Sequence, residues 1–406
     1  MSNMYVSLSE EDKIAIFDMD DDTGQLDLIN LFPLKGKPGP LSKHPNNNFI
    51  YAGCRGSNKM VTLSRDTSSG QLSKLSEIDL RSDPCYISTD ETGRYLLAAY
   101  YRKAGVSVHP IDTEFTIIQN ETWTNTAIGA HCIQTDRSNK FAFVPHISEP
   151  GPSAIFQFKF NEHTGTLTPN QPNSILPANK EGPRHFCFHP NQDVLFTSNE
   201  QGSSVTVYDF NVSNGFIRPK QTVSTLPKDY HGDNSCSQIQ ITPSGKYLYA
   251  PNRGHNTIAA FSVNNSDGSL EPLFACAEKA LRTLHSRGYL LGVATGKSQH
   301  GLEAILEGHK LRDIFSTLQT ADGHPGNPHP SMLHHAMMET GVETNNTLML
   351  GDTSFDMAMA VNAGVHPVGV AWGYHCADAL RVSGARTVLE DYCDLLPCVE
   401  KMWPEV

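Results

Sequence analysis

The chain of 406 residues lacks three features that would assign it to a class directly. No apolar run reaches the roughly 18 residues that a membrane helix needs, which argues against a membrane-spanning protein. The nine cysteines include no CxxC pair, so the common zinc sites and disulfide frameworks are not expected, and reduced thiols in the cytoplasm are favoured. The opening residues, MSNMYVSLSEEDK, have neither a basic leader nor an apolar segment, and they predict no secretory signal.

Positive charge is also scarce, because the chain has 31 Lys and Arg residues and 43 Asp and Glu residues, a formal net charge of -12. This balance argues against a general nucleic-acid binder, which needs an extended basic surface. It does not argue against a small anionic substrate, which needs only a local basic cluster. We therefore expect a small-molecule ligand and neither a nucleic-acid nor a membrane partner.

The sequence does contain an internal repeat. One unit occurs five times, as IAIFDMDDDTGQL, MVTLSRDTSSGQL, IFQFKFNEHTGTL, VTVYDFNVSNGFI and IAAFSVNNSDGSL. All five copies share a glycine column, namely Gly24, Gly70, Gly165, Gly215 and Gly268. Because glycine adopts positive φ without strain, each copy predicts two strands joined by a tight turn.

A second recurring unit lies between these copies and also predicts strand, turn and strand. Its copies are LSKHPNNNFIYAG, ISTDETGRYLLAAY, IQTDRSNKFAFVP, FCFHPNQDVLFTS and IQITPSGKYLYAP. Two hairpins per period make a four-stranded unit, which is typical of a propeller blade. The first two-thirds of the chain is therefore predicted to be an all-β propeller.

The first copy of the repeat invites a different interpretation. Four apolar residues followed by DMD resemble the nucleophile strand of haloacid dehalogenase-type phosphatases, which would make Asp18 a nucleophile. In the repeat, however, the Asp20 column holds only Asp or Asn, residues that bond their own turn backbone. Asp21 also stands where the phosphatase pattern requires Gly. We interpret the stretch as a hairpin turn.

Residues 181–210, EGPRHFCFHPNQDVLFTSNEQGSSVTVYDF, resemble the signature region of the lactonase-family seven-bladed propellers, the 6-phosphogluconolactonase type. ISTDETGRYLLAAYY and GAHCIQTD are similar to the same family. The resemblance implies hydrolysis of a sugar lactone in a central channel, with no metal or other cofactor. It places catalytic residues at His131, Glu200, Arg184 and Arg253, and substrate-binding residues at Arg184, His185 and Arg253.

The chemistry of these residues is compatible with that role. Two arginines can bind the phosphate or carboxylate of an anionic sugar, and a Glu or His can activate water. Structural roles remain as alternatives: His131 could be a buried turn histidine, and Arg184 and Glu200 could pair with each other between blades.

The chain departs from the family in the number of repeats. About five full repeats are present, and the pattern stops near Phe274. We therefore predict an incomplete propeller over residues 1–274, with open strand edges. A second copy of the chain is a candidate to cover those edges.

From Cys276 onwards the pattern changes to alternating helices and strands. CAEKALRTLHSRG, SQHGLEAILEGHKL, PSMLHHAMMETG and SFDMAMAVNAG predict helices, and YLLGVATG, FSTLQTA, NTLMLGDT and HPVGVAWG predict buried strands. This order is typical of an α/β, Rossmann-like parallel sheet. We assign it to a second domain over residues 275–406.

The strand ends of this domain carry motifs that resemble the haloacid dehalogenase superfamily of phosphoglycolate phosphatase type. LGVATGKS resembles the motif whose Thr, here Thr295, binds the transferring phosphate, and LMLGDTSFDMAMAVNAGV resembles the motif whose Asp352 and Asp356 hold magnesium. Asn327 stands at the position of the family's phosphate-site Lys. The alternative for the acidic pair is a helix start capped by Asp.

The motif that supplies the nucleophile in that superfamily, on the central strand of its sheet, is missing before Cys276, and so is a cap domain. We therefore expect the magnesium site to be vestigial. Three functions follow: a sugar-lactone hydrolase of 6-phosphogluconolactonase type, a Mg²⁺-dependent phosphatase, or an inactive fusion or binding protein. The predicted fold class is mainly β, an incomplete propeller of about five blades followed by an α/β haloacid dehalogenase core fragment.

Overall fold

The computed structural model describes residues 2–21, 24–227, 230–390 and 392–404. The chain forms two compact units, Met1–Met19 with Gln25–Glu271, and Asp20–Gly24 with Pro272–Val406. No helix among the described residues is long and apolar enough to cross a membrane. The domain boundary predicted between residues 274 and 275 falls inside the first helix of the second unit and stays a prediction.

The first unit is built from antiparallel sheets that follow one another along the chain. The first sheet has three strands, and the next two have four each, in sequence order. Their strands are β1 (Ser2–Leu8), β2 (Lys13–Met19) and β3 (Leu26–Pro33); β4 (Pro38–Lys43), β5 (Phe49–Cys54), β6 (Lys59–Arg65) and β7 (Leu72–Asp79); β8 (Tyr86–Thr89), β9 (Tyr95–Tyr100), β10 (Gly105–Pro110) and β11 (Thr122–Asn125).

Three further sheets complete the unit among the described residues. In the sixth sheet, β20 and β21 both pair with β22, so the two short strands share one strand position. The strands are β12 (Gln134–Thr135), β13 (Phe141–Ser148), β14 (Pro152–Asn161) and β15 (Thr166–Ile175); β16 (Pro183–Phe188), β17 (Val194–Asn199), β18 (Ser204–Asn211) and β19 (Phe216–Ser224); β20 (Ser235–Cys236), β21 (Gln240–Ile241), β22 (Tyr247–Arg253), β23 (Ile258–Val263) and β24 (Leu270–Pro272). Five sheets of four strand positions thus follow one of three strands, which agrees with the five full repeats of the sequence.

The sheets pack on one another through the period-two alternation of their inner strands. In β13, Phe143 packs towards the fifth sheet in a cluster with Leu195 and Tyr208, whereas Ala142 and Val144 pack towards the third. The second sheet likewise buries Tyr51 against the third sheet and Ile50 against the first. Because successive side chains point to opposite faces, one strand supplies the core of two neighbouring interfaces. This is the propeller-like arrangement that the repeat predicts.

The glycine column closes the outer turn of each hairpin in the same way. The N–H of Gly24 donates to the carbonyl oxygen of Asp20 at 2.8 Å, and the N–H of Gly215 donates to that of Asn211 at 2.8 Å. All five glycines have φ between 68° and 72°, in the left-handed region. Asp18 itself lies on β2, opposite Asn3 on β1 and Asp27 on β3. The structure therefore confirms the hairpin interpretation of this stretch.

The second unit alternates helices and strands as the sequence predicts. Two separate parallel sheets form, β25 with β26 and β27 with β28 and β29. The elements are α1 (Leu273–Ser286), β25 (Leu291–Thr295), α2 (Gln299–Gly308), β26 (Phe315–Thr320), α3 (Ser331–Thr340), β27 (Leu348–Gly351), α4 (Ser354–Ala363), β28 (His366–Val370), α5 (Ala377–Val382), β29 (Thr387–Leu389) and α6 (Leu395–Met402). Among the described strands, none pairs with the second edge of β25 or of β27.

Candidate active site

The five residues predicted for the lactonase site come from three different sheets and meet in one cluster. His131 precedes β12, Arg184 and His185 lie near the start of β16, Glu200 directly follows β17, and Arg253 ends β22. These positions are all at strand ends, where a side chain can leave the packed interface between sheets. The repeat therefore places polar residues from distant parts of the chain close together.

Glu200 forms an ion pair with both arginines. Its Oε2 lies 2.8 Å from Nε of Arg184, and its Oε1 lies 3.1 Å from Nη2 of Arg253. The first contact is an ion pair without a well-directed hydrogen bond, since neither of these two atoms has a hydrogen-bond partner among the described residues. One carboxylate faces two guanidinium groups, so the cluster carries a net positive charge that suits an anionic ligand.

The two arginines differ in their access to solvent. The Arg184 side chain is only 14% exposed, and burial lowers its pKa below the ordinary value for arginine. The Arg253 side chain is 48% exposed and is held by a hydrogen bond from Nη2 to the carbonyl oxygen of Cys236 at 2.9 Å. Arg253 is thus the more accessible of the two arginines.

His131 and His185 lie beside the ion pairs, with their ring centroids 5.2 Å apart. Burial, followed by the positive charge of Arg184, lowers the pKa of His131 to about 3 and holds the pKa of His185 well below its usual value. Both rings are therefore neutral near pH 7. Nδ1 of each ring is buried and has no hydrogen-bond partner in the described part of the chain. A buried polar atom without a partner can bind a polar group of a ligand.

The tautomer of His185 follows from its neighbour. Nη1 of Arg184 lies 3.4 Å from Nε2 of His185, and a guanidinium can only donate. Nε2 is then the acceptor, so the ring proton resides on Nδ1. The Nδ1–H of His185 is available to donate to a ligand oxygen.

Three aromatic and basic residues that the sequence analysis did not select also surround the cluster. The ring of Tyr101 lies 6.0 Å from that of His131, and the ring of Tyr86 lies 5.1 Å from that of His185. Arg55, which pairs with Asp83 at 3.1 Å, also contributes to the lowered pKa of His131. Arg55 and Tyr101 each directly follow the second strand of their sheet, as Glu200 does. The repeat column that contains Glu200 could therefore have identified both residues.

Cys85 is a thiol close to His131, whose carbonyl oxygen lies 3.8 Å from its Sγ. The same Sγ lies 3.3 Å from the carbonyl oxygens of Ala99 and Ala130, and burial raises its pKa to about 12. A thiol that stays protonated at neutral pH is a poor nucleophile, so Cys85 is not suited to that role.

Of the residues predicted for the second site, Thr295 ends β25, Asn327 lies between β26 and α3, Asp352 directly follows β27, and Asp356 lies in α4. Asp356 is the third residue of α4 and forms a capping box with Thr353, whose N–H and hydroxyl donate to Oδ2 at 3.1 and 2.8 Å. Nδ2 of Asn327 donates to Oδ1 of Asp356 at 2.7 Å. Asp352 accepts from the N–H of Tyr374 at 3.1 Å, and Oγ1 of Thr295 accepts from the N–H of Lys297 at 3.3 Å. Asp356 therefore takes part in the N-terminal cap of α4, which is the alternative role given above for this residue.

These residues do not fit a magnesium ion. Both oxygens of Asp356 already accept hydrogen bonds, and Asn327 presents N–H groups to it where an additional oxygen ligand would be useful. No group of three or more His, Cys, Asp and Glu residues that could hold a metal ion occurs among the described residues.

Comparison with known proteins agrees with the propeller-like fold. The family model described as "Lactonase, 7-bladed beta-propeller" matches residues 2–81 and 76–279, more than half of the chain. This chain belongs to the lactonase family. Its described part forms six sheets where the family description gives seven blades.

Relatives of this lactonase-family chain are described as 6-phosphogluconolactonases. A 6-phosphogluconolactonase of Klebsiella pneumoniae is 31% identical over 269 residues, 66% of this chain and 78% of the relative. A 6-phosphogluconolactonase of Erwinia tasmaniensis is 29% identical over 305 residues, 74% of this chain and 89% of the relative.

Two solved structures show the same fold. The periplasmic gluconolactonase of Pseudomonas aeruginosa gives a TM-score of 0.60 at 20% identity and covers 67% of this chain and 81% of its own. A protein from Lactobacillus plantarum gives 0.55 at 21% identity and covers 64% and 76%.

The C-terminal region matches a second family, "Haloacid dehalogenase-like hydrolase", over residues 241–370. The two matches overlap between residues 241 and 279. In the structure, residues up to Pro272 form antiparallel strands of the sixth sheet, so most of the overlap belongs to the lactonase part. The haloacid dehalogenase-like region then begins with α1.

Proposed function

We propose that the first unit hydrolyses a sugar lactone of the 6-phosphogluconolactone type without a metal or other cofactor. The observation that carries this proposal is the pairing of Glu200 with both Arg184 and Arg253 beside two neutral histidines. A net positive cluster at partly buried strand ends suits a small phosphorylated or carboxylated sugar. The relatives named 6-phosphogluconolactonase support this substrate class.

In this proposal the two arginines have different roles, because their exposure to solvent differs. Arg253 binds the phosphate of the substrate, because its guanidinium is half-exposed. Arg184 is more deeply buried and donates to the lactone carbonyl oxygen, where negative charge develops as water adds. The Nδ1–H of His185 donates a second hydrogen bond to the bound substrate.

Glu200 is the residue we assign to water activation. The low pKa of His131 makes that ring a weak proton acceptor at neutral pH. Glu200 takes a proton from water while the water oxygen bonds to the lactone carbon. The ring C–O bond then breaks, and Glu200 gives this proton to the leaving ring oxygen, which His131 positions, so the carboxylate is restored. The product acid releases the second proton of the water to solvent.

The experiment is a lactone-hydrolysis assay that follows this proton release, corrected for spontaneous hydrolysis. Arg184→Ala and Arg253→Ala are each expected to lower kcat/KM by about 10²-fold or more. The matched control is Arg218→Ala, because Arg218 also forms an ion pair, with Asp209 at 2.8 Å, but its side chain is 72% exposed. Unchanged activity in both test variants, with the wild-type chain active, would overturn the proposal.

The second candidate is a Mg²⁺-dependent phosphatase in the haloacid dehalogenase-like region, and the third is an inactive fusion or binding protein. The engagement of Asp356 as a helix cap and the placement of Asp18 in an antiparallel hairpin weigh against the phosphatase. Release of phosphate from a general phosphate ester, dependent on Mg²⁺ and abolished by Asp18→Asn, would favour it. No activity in either assay would favour the third.

The partners and the location belong to the same proposal. The expected ligand is a small anionic sugar, with neither nucleic acid nor membrane as a partner, and a homo-oligomer is the proposed cover for open sheet edges. We propose a cytoplasmic location, because the cysteines with described side chains are all free.

A further inference from the structure

An ion pair that the proposed reaction does not use lies beside the cluster of the first unit. Nη2 of Arg55 lies 3.1 Å from Oδ2 of Asp83. Arg55 directly follows β5 in the second sheet, and Asp83 lies shortly before β8 in the third. The Arg55–Asp83 pair therefore joins two sheets that carry none of the residues assigned above to the reaction.

Close backbone packing holds the two sides of the pair together. A Cβ atom at Gly53, near the end of β5, would lie 2.7 Å from Cγ of Pro84. Only glycine permits so close an approach of the strand to the segment before β8. Because Gly53 and Pro84 are near neighbours of Arg55 and Asp83 in the chain, this contact fixes the distance between the two charged residues.

The segment from Asp83 to Tyr86 continues from the pair to the two histidines of the site. Sγ of Cys85 lies 3.8 Å from the carbonyl oxygen of His131, and the ring of Tyr86 lies 5.1 Å from that of His185. One residue of extended chain spans at most about 3.6 Å, so the backbone of Asp83 lies within about 7 Å of that of Cys85. The pair is thus about one sugar ring away from the segment that contacts His131.

The electrostatics of the site agree with this placement. Burial is the main cause of the low pKa of His131, and the positive charges of Arg184, Arg253 and Arg55 contribute to it. The charge of Arg55 therefore reaches the imidazole from the side of the second sheet, whereas Arg184 and Arg253 reach it from the fifth and sixth.

The Arg55–Asp83 pair differs in charge from the cluster around Glu200. Glu200 faces both Arg184 and Arg253, so that cluster is net positive and suits an anionic group. The Arg55–Asp83 pair contains one charge of each sign and is neutral overall. A neutral pair of a strong donor and a strong acceptor suits an uncharged polar group better than a phosphate or carboxylate.

Both members of the pair can bind a ligand while they stay paired. The Arg55 side chain is 49% exposed and the Asp83 side chain is 28% exposed. A guanidinium has five N–H donors, so Arg55 can donate to Asp83 and to a ligand at the same time. Oδ1 of Asp83 accepts from the hydroxyl of Ser82 at 3.0 Å, and each carboxylate oxygen can accept more than one hydrogen bond. A hydroxyl group, which donates and accepts at one atom, is complementary to this pair.

We propose that Arg55 and Asp83 form a subsite for the hydroxyl group on the carbon next to the lactone carbonyl. This inference rests on the proposed lactone hydrolysis, in which Arg253 binds the phosphate at one end of the sugar and Arg184 and His131 act at the ester. Because the pair lies on the far side of His131 from Arg253, it meets the hydroxyl closest to the ester. The substrate class is thereby narrowed to phosphorylated sugar lactones that carry a 2-hydroxyl group.

The test compares 6-phosphogluconolactone with its 2-deoxy analogue, with both rates corrected for spontaneous hydrolysis. The readout is the ratio of kcat/KM for the 2-hydroxy lactone to kcat/KM for the 2-deoxy lactone. We expect Asp83→Ala and Arg55→Ala each to lower this ratio by about tenfold or more, because only the 2-hydroxy lactone loses a hydrogen bond. The different intrinsic reactivities of the two lactones cancel when a variant is compared with the wild-type chain.

Asp193→Ala is the matched control. Asp193 also pairs with an arginine of a neighbouring sheet, Arg137, at 3.0 Å, but it precedes β17 whereas Glu200 follows that strand. The control variant should therefore keep the wild-type ratio. Circular dichroism of each variant verifies folding, and Arg55→Ala keeps the test decisive if Asp83→Ala does not fold. A purely structural role of the pair would lower both kcat/KM values equally and leave the ratio unchanged.

The failure of this inference can be told apart from the failure of the proposed function. An unchanged ratio in a folded Asp83→Ala or Arg55→Ala variant, or an equal fall of the ratio in Asp193→Ala, would overturn the subsite while the wild-type chain still hydrolyses the lactone. A wild-type chain that hydrolyses neither lactone would overturn both proposals.

Discussion

Both units carry polar residues at the ends of strands, but the pairing of those strands differs between the units. In the first unit, Glu200 and Arg253 end strands that are paired on both sides, so backbone pairing fixes the position of each side chain. In the second unit, Thr295 and Asp352 end strands that pair on one side only among the strands that the structure describes. The comparison teaches that polar residues at similar motif positions can rest on strands with very different backbone support.

The comparison predicts the largest loss for a change in the first unit's central carboxylate. Glu200→Gln keeps the size of the side chain and removes its charge and basicity. We expect kcat/KM for lactone hydrolysis to fall by about 10²–10⁴-fold, the usual effect of losing a general base. Asp209→Asn is the matched control, because Asp209 also pairs with an arginine but on an exposed strand surface. An equal loss of kcat/KM in the two variants would contradict the special role of Glu200.

The next largest effect is on stability. Phe143 is fully buried and lies in ring contact with Phe186, Phe188 and Phe210 between two sheets. Phe143→Ala should lower the free energy of unfolding by about 3–5 kcal/mol. Phe355→Ala, at a side chain that is 55% exposed in the second unit, should change it by less than about 1 kcal/mol. Urea unfolding followed by circular dichroism measures both; a Phe143 loss as small as the Phe355 loss would contradict the packing described.

A smaller effect concerns pH. The pKa of His131 is about 3 in the folded chain, against about 6.5 in an unfolded one. Between these values the unfolded state binds a proton that the folded state does not, so stability decreases as pH falls from 6.5 towards 3. The slope from this ring approaches about 1.4 kcal/mol per pH unit.

His131→Asn should reduce that slope relative to the wild-type chain, because the substituted side chain does not titrate in this range. Unfolding free energies measured at several pH values between 4 and 7 give the slopes. A steeper dependence in His131→Asn than in the wild-type chain would show that the sign is wrong.

The smallest expected effect tests the second unit. Asn327→Lys restores the amine that the haloacid dehalogenase pattern has at this position, next to Asp356. We expect no measurable phosphatase activity with a general phosphate ester and added Mg²⁺, because Asp18 lies in a hairpin and supplies no nucleophile. Wild-type chain assayed in parallel is the control. Phosphate release above that control would contradict the expectation that the second unit has no phosphatase activity.

Much of the fold could be predicted because it rests on local rules. The glycine column requires positive φ at a fixed place in each hairpin, and the structure has it at all five positions. The helices and strands predicted from residue 276 to residue 373 are also present, since each carries its own hydrophobic periodicity. The three-stranded first sheet could be only partly predicted, because it lacks the first strand of a complete repeat.

The site could be predicted less completely, for a physical reason. The resemblance selected His131, Arg184, His185, Glu200 and Arg253, and the structure brings all five together. Arg55 was missed because it lies outside the motifs that carry the resemblance, and Tyr101 because the resemblance gives it no role, although both occupy the same repeat column as Glu200. The burial that lowers the pKa of both histidines is likewise a property of the assembled sheets. In the second unit, the use of Asp356 as a helix cap depends on Thr353 and Asn327, which are its neighbours only after folding.

The residue that follows the second strand of each sheet has a consequence for how such a protein can change. Arg55, Tyr101 and Glu200 directly follow this strand in three sheets, and Arg253 is its last residue in a fourth. A substitution at the first three positions changes a side chain of the proposed site while the backbone hydrogen bonds of the strand before it stay the same. If the proposed site is correct, substrate preference can change one sheet at a time, by independent single substitutions, in a scaffold that keeps its register.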